Sequence, residues 1–328
     1  MSIPTRNIAF ILLLFLFSCT QEKKKPETTE TKPERIISVP SFNSDTAYAY
    51  VKTQVEFGPR VPGTKAHAAC AEFMISQLTK FADSVIVQQG TVTGFDKKKL
   101  EFKNIIAQFS PQQKRRVLLC AHWDTRPWAE QDAIRKGEPN DGASDGASGV
   151  AVLLEIARQL KQSKPAIGID IIMLDAEDYG QPDDSPFERV QDSYALGAQY
   201  WAKNPHVPGY YAEYGILLDM VGARNAVFVQ ERYSLQYAPS VVKKIWDAAN
   251  QIGYSDYFPF REGGLVTDDH YYINTIANIP TIDIIQFDSA TRSGFGSYWH
   301  THQDNMSIID ANTLKAVGQT VMQVIYSE

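Results

Sequence analysis

Cysteine is scarce: the 328 residues contain only three, Cys19, Cys70 and Cys120. A disulfide-framed scaffold and a thiolate-rich structural zinc site are both excluded by so small a number. A basic surplus is also missing. Thirty-two Lys and Arg stand against 38 Asp and Glu, for a net charge of −6, which excludes a general nucleic-acid binder built on a basic stripe. Long apolar runs are lacking as well. The run Ile8–Phe17 is too short for a bilayer span, which needs about 20 residues. No internal repeat is visible. Hydrophobic residues make up 44% of the chain, and that content excludes a mainly disordered one.

The N-terminus reads as an address. Arg6 precedes the apolar run, which ends at Ser18-Cys19, in the manner of a secretory h-region. Leu16-Phe17-Ser18-Cys19 resembles a bacterial lipobox, in which the cysteine becomes the acylated first residue. Residues 1–18 are therefore expected to be a lipoprotein signal peptide. Residues 19–35, rich in Lys, Glu, Thr and Pro, bury too little to fold and read as a flexible tether. The expected protein is exported and lipid-anchored through Cys19, on the periplasmic side or at the cell surface, with no other membrane contact. Residues 36–328 are expected to form one domain of about 290 residues.

Within that domain, continuous apolar runs alternate with amphipathic segments. Arg116–Ala121, Ile167–Leu174, Gly215–Leu218 and Ile279–Ile285 read as buried strands, and Val85–Val92 and Asn104–Phe109 as further ones. Ala66–Phe81, Gly149–Leu160, Tyr194–Lys203, Val241–Ile252 and Thr313–Tyr326 have helical spacing. The expected architecture is α/β, with a mostly parallel central sheet flanked by helices.

Such sheets bind ligands beyond the carboxyl ends of their strands. The polar residues cluster there: His122 and Asp124, Glu177 and Asp178, then Asp219, with His300 after the last run and Asp145 before the apolar helix. Singly, each has a bland explanation, such as a helix cap for Asp145 or a satisfied core histidine for His122. Together, imidazole and carboxylates without thiolate suit a catalytic Zn²⁺ site. Cys70 and Cys120, set among apolar residues, read as core thiols, the alternatives being a disulfide between them or Cys120 as a further metal ligand. Trp123 and Trp128 either line the cleft or cap the sheet end. Spacing alone leaves His300 and His302 as alternatives.

At these residues the sequence resembles the M28 metallopeptidase superfamily, and within it the animal-type glutaminyl cyclases (glutaminyl-peptide cyclotransferases). The resemblance runs from about Val51 to Tyr326 and is carried by several motifs. They are Gly58-Pro59-Arg60-Val61-Pro62-Gly63-Thr64, His122-x-Asp124, the Asp145 loop, Ala176-Glu177-Asp178, Leu218-Asp219, Asp268-Asp269-His270 and Trp299-His300-Thr301. It implies zinc held by Asp145, Asp178 and His300, with Glu177 as general acid/base. It further implies a hydrogen-bonded pair of Asp219 and Asp268, an indole wall from Trp299, and a cis peptide after Asp145. His300 is preferred to His302 on the pattern His300-Thr301-His302-Gln303-Asp304. Asp178 stands where the family usually has glutamate. Phe187 is the nearest aromatic to a further pocket wall, and Val150 stands where a family cysteine would pair near the zinc.

The implied reaction converts an N-terminal glutamine of a peptide or secreted protein to pyroglutamate with loss of ammonia. A single zinc would polarise the γ-carbonyl, and Glu177 would carry the proton from the amine to the leaving nitrogen. The alternative is an M28-type zinc aminopeptidase, in which His122 and Asp219 hold a second metal bridged by Asp145. Trp299 beside His300, Asp268-Asp269-His270 and the stretch Leu217–Ala223 favour the cyclase.

Overall fold

A computed structural model describes Met1, Ser2 and residues 38–328, the latter within one compact unit. The apolar run Ile8–Phe17, Cys19, the tether 19–35 and the expected start of folding near Ile36 lie outside the described residues. No described helix is long and apolar enough to cross a membrane.

Two helices open the unit, α1 (Ser44–Glu56) and α2 (Lys65–Phe81). The sequence pattern missed α1 because its buried face is thin, only Ala47, Val51 and Gln54; Asn43 caps its first turn. Strands β1 (Ser84–Thr93), β2 (Lys99–Phe109) and β3 (Arg116–His122) follow, then α3 (Ala147–Gln162), β4 (Gly168–Leu174), α4 (Leu196–Lys203) and β5 (Tyr214–Asp219). Helices α5 (Arg232–Tyr237), α6 (Pro239–Gln251) and α7 (Asp269–Tyr272), strand β6 (Thr281–Ile285) and helix α8 (Ala311–Tyr326) complete it.

The six strands form one mixed sheet in the order β1-β2-β4-β3-β5-β6. The β4-β3-β5-β6 half is parallel, and β1 and β2 are antiparallel additions at one edge. Strands β3 to β6 are buried along their whole length, which explains their largely apolar sequences; Asp170 in β4 and Asp283 in β6 are the buried acids that interrupt them. Edge strand β1 instead alternates between half-buried and exposed. The main core packs one sheet face against α1, α2, α3, α6 and α8. A smaller cluster that includes Leu118, Cys120, Leu217 and Trp201 fills the other face, toward α4 and α7.

Parallel register brings the polar strand ends to one edge, with His122 opposite Leu174 and Asp219 opposite Ile285. Helix α3 presses close above them. A Cβ on Gly149 would lie 2.2 Å from the Leu218 carbonyl oxygen, and one on Gly146 would lie 2.6 Å from that of His122. Only glycine permits this approach, which holds the Asp145 loop over the strand ends.

Candidate active site

A cleft of about 270 Å³ opens at that edge, lined by Asp145, Glu177, Asp178, Asp219, Asp268, Trp299 and His300, with Tyr194, Phe295 and other residues completing its wall. Two carboxylate–histidine groups meet in it and share Asp145: Asp145, Asp178 and His300, and His122, Asp145 and Asp219. Either group offers donors suited to a divalent metal ion.

In the first group, His300 Nε2 lies 3.3 Å from Asp178 Oδ1 and 3.8 Å from Asp145 Oδ2. The other ring nitrogen, Nδ1, is 2.8 Å from Glu130 Oε1. A proton on Nδ1 donated to Glu130 leaves the Nε2 lone pair facing the carboxylates, the tautomer a metal ligand requires. Asp178 Oδ2 is buried without a hydrogen-bond partner. An uncompensated acceptor of this kind fits a cation. Arg126 locks the support in place: it donates to both Glu130 oxygens at 2.7 and 3.0 Å and to the carbonyls of Asp178 and Gly180 at 2.9 and 2.8 Å.

In the second group, His122 Nε2 lies 3.0 Å from Asp145 Oδ1 and 3.1 Å from Asp219 Oδ1. These are direct hydrogen-bond distances. Asp124 works behind both groups, accepting from the backbone N–H of Glu177 and Asp178 at 3.0 and 3.1 Å.

The loops are clamped to each other. Asp304 accepts from the backbone N–H of Ser144 and Asp145 at 2.7 and 3.1 Å, tying the His300 loop to the Asp145 loop. The fully buried Arg60 donates to the carbonyls of Asp141 and Gly142, which accounts for the Gly58-Pro59-Arg60 motif. Ala176, Met220 and His300 all have left-handed backbone, φ 54°, 48° and 53°, and each sits in or beside a cleft carboxylate or imidazole. Strain of this kind persists where the surroundings over-determine a site. The Asp145–Gly146 peptide is cis, as the resemblance implied.

Crowded acids set the electrostatics. Burial first, then the nearby Asp268, Asp178 and Asp269, raises the Glu177 pKa well above the usual carboxylate range. Burial and Asp145 push Asp178 up to about 6, and burial, again with Asp145, takes Asp219 to about 7. His300 is raised to about 9: burial and Arg126 oppose its charge, but Asp178 and Glu130 prevail. Glu130 moves the other way, to about 2, because His300 and Arg126 outweigh its burial.

All seven cleft residues expected from sequence are thus brought together, and His122 lies directly beneath them. His302 turns away, its Nδ1 2.8 Å from Asp132. Asp145 does not cap α3, whose N-cap is Gly146 with no side-chain bond. The expected Asp219–Asp268 hydrogen bond is not formed: Asp219 turns to His122, and Asp268 keeps one oxygen, and Asp283 on β6 both of its oxygens, buried without a hydrogen-bond partner. Asp283 and Glu130 escaped the sequence reading, since nothing local marks them. Phe187 does not reach the cleft; half exposed, it stands edge-on to Phe95 over another hollow, which Trp128 also lines. Trp123 is buried and stacks on His67 at 4.2 Å, so neither tryptophan lines the cleft. Cys70 and Cys120 are free and buried.

Fold and cleft together define an α/β enzyme with a carboxylate–histidine site, suited to a metal ion, at the carboxyl ends of its parallel strands. The chain belongs to peptidase family M28, whose family model matches residues 104–325. Among solved structures, a Zn-dependent exopeptidase from Parabacteroides distasonis is 54% identical, covering 89% of this chain and 100% of that one with a TM-score of 0.87. The glutaminyl cyclase of Bacteroides thetaiotaomicron, bound to N-acetylhistamine, is 52% identical, with the same coverage and TM-score. A glutaminyl-peptide cyclotransferase of the snake Gloydius blomhoffii is 29% identical over 255 residues, 69% of this chain. The match spans 65% of that relative's own length.

Proposed function

We propose that the protein converts the N-terminal glutamine of peptides to pyroglutamate with release of ammonia, using one zinc ion held by Asp145, Asp178 and His300. The brace on His300 carries this reading: Glu130 holds its Nδ1, whereas the Nδ1 of His122 is buried without a hydrogen-bond partner. Zinc–ligand bonds of about 2.0–2.1 Å place tetrahedral ligands about 3.3–3.4 Å apart. The 3.3 Å separation of His300 and Asp178 meets that spacing, whereas His122 Nε2 hydrogen-bonds Asp219 at 3.1 Å and lies 3.0 Å from Asp145.

Zinc at this position supplies Lewis-acid polarisation of the γ-carbonyl. The residues do the rest. Glu177 takes a proton from the α-amine as its nitrogen bonds to the γ-carbon, then returns one to the amide nitrogen as the C–N bond breaks and ammonia leaves. A carboxylate held well above its usual pKa is matched to that two-way duty. Asp268 faces the cleft and accepts a hydrogen bond from the departing amide. Trp299, stacked on His300 at 3.7 Å, walls off water, whose attack would give only glutamate.

One observation favours a second reading, a two-metal aminopeptidase: Asp145 belongs to both groups, as a bridging ligand would. Incubation with Gln-initiated and Leu-initiated peptides separates the two. Ammonia and a blocked N-terminus are expected from the former and nothing from the latter; free leucine would establish the hydrolase. The address reading rests on residues 6–19. Cys19→Ala should move the protein from the membrane fraction to the soluble one, and an unchanged distribution would refute the anchor.

A further inference from the structure

Beside the site lies a second, larger cleft of about 440 Å³, and the two share Ser293 and Trp299. Glu130, which holds His300 from behind, belongs to its wall. A peptide whose first residue fills the inner cleft therefore leaves past Trp299 into the outer one.

The outer cleft is charged, and its charges are unequally satisfied. Its acids are Glu130, Asp183 and Asp184, and its cations are Lys136 and Arg292. Glu130 is taken by Arg126 and His300 at 2.7 and 2.8 Å, and Asp183 accepts from Arg189 at 3.3 Å. Among the described residues, neither Lys136 nor Arg292 has a carboxylate within ion-pair distance, and both are exposed. Asp184 is the one acid left to oppose two free cations.

We propose that this outer cleft receives the residues following the N-terminal glutamine, and that Lys136 and Arg292 make it prefer an acidic side chain at the second or third position. The proposal rests on the cyclisation reading and deepens it. Overall charge works against it: a chain of net charge −6 attracts basic peptides at long range. A preference for acidic ones therefore reports the local cations and not the whole molecule's field.

The test compares kcat/KM for ammonia release from Gln-Glu-Ala-Ala and Gln-Ala-Glu-Ala with their lysine counterparts, at low salt. Exposed ion pairs are modest, so about a fivefold advantage for glutamate is expected at one of the two positions. It should shrink in about 1 M salt, where screening is nearly complete at ion-pair range. In the double variant Lys136→Glu, Arg292→Glu the ratio should invert, and a ratio needs no assumption about overall activity. A glutamate-to-lysine ratio of one or less in the unaltered protein, or a ratio unchanged in the variant, would overturn the subsite while leaving cyclisation intact. Failure of every Gln-initiated peptide to release ammonia would remove the cyclisation reading and the subsite with it.

Discussion

The two groups that share Asp145 contain similar residues in different states. Around His300, the donor atoms stand 3.3 and 3.8 Å apart, Asp178 keeps a buried oxygen without a partner, and Glu130 and Arg126 brace the imidazole from behind. Around His122, the same kinds of side chain have closed on each other, at 3.0 and 3.1 Å. Ligand identity alone does not distinguish a metal site from a buried hydrogen-bond network. Bracing separates them in the one-zinc proposal: Glu130 holds His300 Nδ1, whereas His122 Nδ1 is buried without a hydrogen-bond partner.

The largest expected effect is chemical. Glu177→Gln should reduce ammonia release by about 10³-fold while leaving bound zinc unchanged, which separates catalysis from metal binding; near-normal turnover would remove Glu177 from its role. Next, His300→Ala should lose zinc by metal analysis while His122→Asn keeps it. The reverse result would exchange the two groups' roles. Glu130→Gln should weaken zinc affinity by about 10–100-fold, the usual cost of losing the partner that orients a ligating histidine, and a variant with unchanged affinity would make the bracing incidental.

The smallest effect is on stability. Asp178 and Asp219 are raised to about 6 and 7, and His300 to about 9. A group whose pKa is higher in the folded state stabilises the fold below its unfolded pKa and loses that contribution as pH rises through the folded value. The two aspartates act from about pH 4 to 7 and His300 from about 6.5 to 9, all with the same sign. The metal-stripped protein should therefore lose thermal stability as pH rises across this range. Zinc, which binds the deprotonated ligands, should flatten the decline. A metal-stripped melting temperature that rises with pH would contradict the crowding of acids.

The catalytic edge was legible because β3 to β6 are buried throughout, so their apolar runs end abruptly in His122, Glu177 and Asp219 or lead toward His300. Those breaks mark strand ends in any buried parallel sheet. The support was not legible. Glu130 reaches His300 across 170 residues of sequence, and Arg126 reaches Asp178 across 52. Asp283 sits inside an apolar strand, where it reads as a stray polar residue, yet it is buried close enough to Asp268 and Asp219 for their charges to raise its pKa. Asp304 is the intermediate case. The family pattern that follows His300 includes it, and only the fold reveals that it clamps the Asp145 loop.

Stepwise addition of zinc to the metal-stripped protein, with ammonia release from a Gln-initiated peptide followed at each step, tests the one-metal cyclase most directly. Activity is expected to climb and level off at one zinc per chain. A climb that continues to two, or zinc binding with no ammonia at any ratio, would contradict it.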